Sequence, residues 1–398
     1  MSPCPSPKTG QEQPRLNILV LDGGGVRGLS SLLLLEALMA NINEQIKELR
    51  PTQITDLRPQ EIFNLIAGTS TGGLIALMLV KMRMTVPQCI AQYCTMSKAI
   101  FGGNYMRKTR SMLTFQLGHA KYSGDNLRAL VQEILQGKGL DGEEPMVCEG
   151  DKVDETLCAV VCREHLSPSR YSKYKREAAS ICNLDCRGEE SIMCAVPDAA
   201  RATSAAPTYF EVTKICDQKT KRMRYFSDGG LENNNPTRAI HKHYGAFWKA
   251  QRAQPSQEEP TSRLARHEDL RFDHVRYINL GTGTKTDDLQ RLRDTAFSLL
   301  PGAIRMGVFL KQTLTEMAAS AEGDADFMAL LAPETDGRIK FERFSADNGV
   351  CFIKLYKYRK IDEIRRLTTE YLKKPKIQEE MVRVAGEIAD EWVKSHPA

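Results

Sequence analysis

LNILVLDGGGVRGLS, residues 16–30, decides the architecture. Its first six residues are almost continuously apolar, which reads as a strand buried on both faces, the habit of parallel sheets. The strand runs into a glycine-rich turn. SLLLLEALMANINEQI (31–46) then continues as a helix that closes before Pro51. The same unit recurs downstream: EIFNLIAG (61–68) reads as a strand, TSTGG as a turn and LIALMLVK as the following helix. TLCAVV (156–161), MRYFSDGG (223–230) and HVRYINLGTG (274–283) are further strand candidates, with helical patterns between them. Strands alternating with helices predict an α/β fold, a central, mainly parallel sheet flanked by helices on both sides in three layers.

The rest of the chain narrows the class. A composition of 41% hydrophobic and 26% charged residues excludes collagen-like, coiled-coil and wholly disordered chains. No uninterrupted apolar run approaches the roughly 18 residues that span a bilayer. The start, MSPCPSPKTGQEQP, lacks the basic and apolar regions of a secretory signal and reads as a disordered tail over 1–14. A cytoplasmic location is therefore expected. Eleven cysteines, an odd number, fit a reducing compartment. Two CxxxC spacings occur, Cys158/Cys162 and Cys182/Cys186, with His165 near the first. Cys158 and Cys162 lie in an apolar run on one face of a strand, where thiols act as small hydrophobes rather than zinc ligands. No metal is expected.

Acidic 139–155 and polar 251–269 read as loops, whereas 289–332 is richer in apolar residues. Ile377, Met381, Val384, Ile388 and Trp392 recur at helical spacing, which predicts a C-terminal helix packed on the body. The net charge of +5 is unevenly placed: Lys354–Lys376 holds nine cations against three acids. Such a stretch suits an anionic lipid surface or nucleic acid, or is simply a solvated helix face.

Three short motifs carry chemistry. GTSTG (68–72) has the GxSxG spacing, in which a Ser on a tight strand-to-helix turn is pushed out of the backbone. The flanking Gly68 and Gly72 allow close approach, and the next helix aims its positive end at the Ser. GGGVRG (23–28) fits a dinucleotide fingerprint by spacing. That motif wants an acid ending the next strand about 20 residues on, where this chain has Asn41 to Glu44 inside a helical pattern. The other reading is an oxyanion hole in which Gly24 and Gly25 present backbone N–H groups. Arg27 then anchors the loop or meets a phosphate. Asp228 in SDGGLENNNP ends a strand, as a base for a Ser nucleophile or as a plain turn residue. His241, His243 and His274 follow it in the order of an α/β-hydrolase triad, although His241 and His243 sit in a charged helical pattern that predicts solvated side chains.

Taken in order, DGGGVRG, GTSTGG and SDGG resemble the patatin-like phospholipases. ARATSAAPTYF (200–210), LENNNPTRAI (231–240), KYSGDNLRALVQEIL (121–135) and INLGTGT (278–284) are similar to the family as well, so the resemblance covers roughly residues 16–285. It implies a Ser–Asp dyad without His. Ser70 would be the nucleophile and Asp228 the base, with Gly23, Gly24, Gly25 and Arg27 in the oxyanion loop and Gly28 opening the helix. It implies no metal and no cofactor; some members are called calcium-independent phospholipases.

The expected domains are a tail (1–14), a patatin-like catalytic domain (15–285) and a helical C-terminal extension or cap (286–398). The expected function is hydrolysis of fatty-acyl esters of glycerophospholipids through a Ser70 acyl-enzyme. A transacylase or neutral-glyceride lipase would use the same residues, while a lipid-binding scaffold and a nucleotide-binding protein are rivals of another class. The expected partners are a phospholipid or other acyl ester and a membrane or lipid-droplet surface met peripherally through 289–332 and 354–376. Nucleic acid is not expected.

Overall fold

The protein is described by a computed structural model over residues 15–52, 56–102, 122–147, 156–165, 177–183, 192–206, 209–244, 274–284, 321–335 and 337–396. The tail 1–14, residues 148–155 of the acidic stretch, the polar stretch 251–269 and residues 289–320 lie outside the described residues. Eight strands form one sheet: β1 Leu16–Leu21, β2 Leu65–Thr69, β3 Leu157–His165, β4 Glu177–Cys182, β5 Thr213–Cys216, β6 Met223–Asp228, β7 Val275–Leu280 and β8 Ile339–Phe344. Their order is β5-β6-β3-β2-β1-β7-β8, with β4 also on β3. β1, β2, β3, β7 and β8 run parallel, whereas β4 and β6 run antiparallel to β3.

Helices cover both faces. α1 Gly28–Leu49, α2 Thr71–Val80, α3 Val86–Phe101, α4 Gly124–Gly137, α5 Val196–Ser204, α6 Ile361–Leu372 and α7 Pro375–Ser395 lie on one side, and helical residues 237–244 and 321–331 on the other. Successive side chains of a strand point to opposite faces. Leu19 and Leu21 of β1 accordingly join a core with α1, α2 and α7, while Ile18 and Val20 join a second core with Ile240, Tyr244 and Met328. Burial on both sides is why β1 reads as a continuous apolar run. α1 is long and apolar enough to cross a bilayer, but 67% of that window is buried inside the fold, as in the core helix of a globular domain.

Two expectations change. The strand expected over 61–68 begins only at Leu65, because Pro59–Ile62 forms a helical turn. Pro59 suits the first helical position, and Arg58 N donates to the Glu61 carboxylate at 2.8 Å. His241 and His243 are partly buried rather than solvated: the His241 ring bonds the Tyr277 hydroxyl at 2.8 Å, and His243 lies 3.4 Å from Ser180. Cys158 and Cys162 are fully buried and face the same core, as the period-2 reading predicts. β4, β5 and β8 come without a sequence forecast.

The end of the chain is latched to the sheet through Arg276 of β7, which is 1% exposed. Its guanidinium donates to Glu387 (2.8 Å) and Glu391 (2.7 and 3.0 Å) of α7, and to Asn17 of β1 (3.1 Å). Removing one partner of a buried ion pair strands the other charges, at about 3–5 kcal/mol. Arg276→Met is expected to cost about 3 kcal/mol, the low end, because Glu387 and Glu391 keep some access to water. Denaturant unfolding measures this, and an unchanged midpoint would show that the latch contributes nothing.

β3 brings the site together. β2 pairs along residues 157–161 of β3, and β6 pairs along 162–165. β4 spans 159–164, overlapping both, so β2 and β6 must share the opposite edge of β3 and meet end to end. Val161 is paired with Thr69, and the next residue, Cys162, with Asp228.

Candidate active site

Ser70 stands between β2 and α2 with φ 55° and ψ −121°, a left-handed backbone that costs a non-glycine residue of order 1–3 kcal/mol. The surroundings hold it there. A Cβ on Gly68 would lie 2.2 Å from the Gly72 backbone, and one on Gly72 would lie 2.2 Å from the Leu21 carbonyl oxygen, so the turn can pack this tightly only on glycines. Ser70 N donates to Thr203 Oγ1 at 2.8 Å, and the Thr203 hydroxyl donates onward to Val161 O at 2.7 Å. Thr203 of α5 thus holds the Ser70 backbone from behind. It lies in the ARATSAAP block, whose spacing alone shows no such role.

Asp228 is 1% exposed at the end of β6. Its Oδ1 accepts the Gly230 N–H at 2.7 Å. Oδ2 is buried and closes no hydrogen bond among the described residues, and the Ser70 hydroxyl is the side-chain donor beside the carboxylate. Burial raises the Asp228 pKa to about 6, against the lowering effects of the Ser70 hydroxyl and the Gly230 N–H. A carboxylate so tuned serves as a general base near neutral pH. None of His241, His243 and His274 lines the cleft that holds Ser70 and Asp228.

The glycine-rich loop after β1 closes the third side. Gly23 N donates to Asn234 O (2.9 Å), Gly24 N to Thr71 Oγ1 (3.1 Å) and Val26 N to Leu355 O (2.8 Å). Gly25 and Thr71 N–H groups have no partner among the described residues, and both residues line the cleft beside Ser70. Gly25 takes φ 55°, and a Cβ there would lie 2.3 Å from Leu355 O. Arg27 is an anchor, donating to Gly24 O (3.2 Å) and Cys351 O (2.8 Å), and the Tyr93 hydroxyl donates to Gly25 O.

Beneath the loop, Asp22 is held by Asn279 (2.8 Å) and Arg343 (2.9 Å). Thr282 Oγ1 donates to Gly23 O at 2.8 Å. Asn279 and Thr282 sit in the INLGTGT block quoted above, whereas Arg343 and Leu355 carry no sequence signal. The cleft encloses about 690 Å³, counting the part open to solvent, between walls such as Leu74, Met96, Ile100, Leu127, Phe210 and Leu355. It is an apolar slot with polar groups gathered at one end, the usual form of a small-molecule site. Among the described residues no three His, Cys, Asp or Glu side chains gather as metal ligands would.

A sequence model of the family described as patatin-like phospholipase matches residues 19–241. Patatin-like protein 4 of Arabidopsis thaliana is 30% identical over 232 residues, covering 56% of this chain and 50% of the relative. Patatin-like protein 1 of the same plant is 28% identical over 283 residues, covering 68% and 59%. A protein of Escherichia coli (strain TW11681) named cGAMP-activated phospholipase is 28% identical over 226 residues, covering 57% and 55%. The chain spans about half the length of the curated relatives it matches. With more than half of its residues inside the family match, and with the glycine loop and the Ser70 elbow both within it, the chain belongs to the patatin-like phospholipase family.

Proposed function

We propose that the protein is a serine-type lipid acyl hydrolase that cleaves fatty-acyl esters of glycerophospholipids with Ser70 as nucleophile and Asp228 as base. One observation carries this reading: a strained Ser beside a buried carboxylate, both opening into an apolar-walled cleft. The family match and a relative named as a phospholipase support the lipid class.

The chemistry follows from the groups in place. Asp228 takes the Ser70 hydroxyl proton as Oγ adds to the ester carbonyl. The oxyanion that forms is met by the unpartnered N–H groups of Gly25 and Thr71, at the positive end of α2. The C–O bond to the alcohol breaks, and Asp228 returns its proton to the departing oxygen. Water then adds to the acyl-enzyme and gives its proton to Asp228. The acyl–Ser70 bond breaks, Ser70 regains the proton, and the free fatty acid leaves. Apolar walls hold the acyl chain, while the Gly25 and Thr71 donors fix the carbonyl.

Product analysis by mass spectrometry, after incubation with mixed phospholipid vesicles in EDTA, tests the proposal. Free fatty acid plus lysophospholipid is the expected result. No acyl product from phospholipid, with Ser70 still labelled by a fluorophosphonate, would overturn the substrate class; acyl groups moved onto an added alcohol would reassign the activity to transfer.

A further inference from the structure

Four of the nine cations of the basic stretch are held by acids. Lys360 pairs with Glu363 (2.5 Å), Arg366 with Glu370 (2.7 Å) and Lys374 with Asp347 (2.5 Å), while Lys376 lies 3.9 Å from Glu380. Lys354, Lys357, Arg359, Arg365 and Lys373 are exposed and form no ion pair among the described residues; Arg365 lies beside Cys94 and Lys373 closes α6, whereas the first three fall within one six-residue segment. Arg359 donates to the Tyr358 hydroxyl at 3.2 Å.

These three cations sit on the segment that walls the cleft. Leu355 lines it together with Ser70. The Tyr356 ring is 6.2 Å from that of Tyr209, another lining residue, and Lys357 Nζ lies 5.8 Å above Tyr356. Phe352, three residues before Leu355, is 37% exposed. Unneutralised charge and an exposed aromatic ring therefore share the rim of an apolar slot.

We propose that the 352–359 segment is a docking surface for an anionic phospholipid bilayer. It gives the acyl-hydrolase reading its interface, and its test stands apart from that reading. Lysine and arginine near a membrane are drawn to anionic headgroups, and aromatic side chains settle at the headgroup level. A nucleic acid would call for a basic groove with stacking platforms along it; here the charge is gathered on one short segment beside Leu355, which walls an apolar cleft. The paired cations of α6 and α7 have their fields locally cancelled and add little.

The experiment uses the full chain carrying Ser70→Ala, so that hydrolysis cannot change the vesicles. Sedimentation with vesicles of equimolar phosphatidylcholine and phosphatidylglycerol is compared with phosphatidylcholine alone. Binding to the anionic vesicles is expected. Lys354→Gln/Lys357→Gln/Arg359→Gln should lower that partition about 100-fold. Arg366→Gln/Lys374→Gln/Lys376→Gln removes the same charge from paired positions and should change it far less. Equal losses in the two variants would reduce the effect to net charge and overturn the proposal. So would an undiminished rim variant, a Ser70→Ala chain that ignores anionic vesicles, or one that binds single-stranded DNA but not vesicles. With Ser70 intact, the rim variant should still hydrolyse a soluble short-chain ester. If no ester is turned over while the vesicles are bound, the hydrolase reading falls and the docking surface stands.

Discussion

Replacing Ser70 with Ala is expected to lower acyl-ester turnover by roughly 10⁴- to 10⁶-fold, the scale seen when a serine nucleophile is removed. The loss follows from position as much as from chemistry. The oxygen stands on the residue forced to φ 55°, between the Asp228 carboxylate and the unpartnered N–H of Thr71. The two threonine hydroxyls next to it are engaged: Thr71 Oγ1 accepts from Gly24 N, and Thr203 Oγ1 is spent between Ser70 N and Val161 O. Alanine keeps the backbone strain and removes only the oxygen, so the thermal midpoint should barely move. A soluble ester and a fluorophosphonate probe measure the outcome together. A variant that keeps a tenth of the activity, with wild-type stability, would rule Ser70 out as nucleophile.

Asp228→Asn is expected to separate activity from stability. Turnover should fall about 10²- to 10⁴-fold, the contribution of a positioned general base. Stability should move the other way. The folded pKa is about 6 against an ordinary value of 3.8, so folding makes this carboxyl harder to ionise. Below the lower value the group is protonated folded and unfolded, and burying it carries no ionic cost. Between the two values the cost grows as pH rises, and above about 6 it is constant. One pKa unit corresponds to about 1.4 kcal/mol, so the cost at neutral pH is about 3 kcal/mol. Asparagine still accepts the Gly230 N–H without the charge, and unfolding in denaturant at pH 7 should show the variant to be the more stable protein. The wild-type kcat/KM profile should lose activity as pH falls through about 6. An acid limb near pH 4, or an asparagine variant less stable at pH 7, would contradict the buried-base account.

Part of this arrangement is legible in the amino-acid sequence alone. β1, β2, β3 and β7 are buried on both faces, and double burial writes an apolar run that needs no alternation to be recognised. Gly25, Gly68 and Gly72 mark their loops because a Cβ at each would strike backbone. β8, IKFERF, is an edge strand whose inner positions are half-exposed and, Phe341 aside, charged, so its composition matches that of a surface helix or loop. The supporting residues escape for another reason. Thr203, Arg343 and Leu355 act on atoms more than 130 positions away in the chain, and no local pattern records such a contact. The cations of 354–376 look uniform as a string of letters. Their division into paired and unpaired groups emerges only once the acids are placed beside them.

The divided edge of β3 bears on how this architecture tolerates change. The strand that leads into Ser70 and the strand that ends in Asp228 abut consecutive residues, Val161 and Cys162, so one peptide repeat of about 3.3 Å sets their offset. Nothing in the chain between His165 and Met223 enters that measurement. Insertions and deletions can be accommodated there, provided β4, α5 and β6 keep their places against β3. The spacing of Ser70 and Asp228 thus belongs to a single rigid ruler, and the connecting segments are left free to vary.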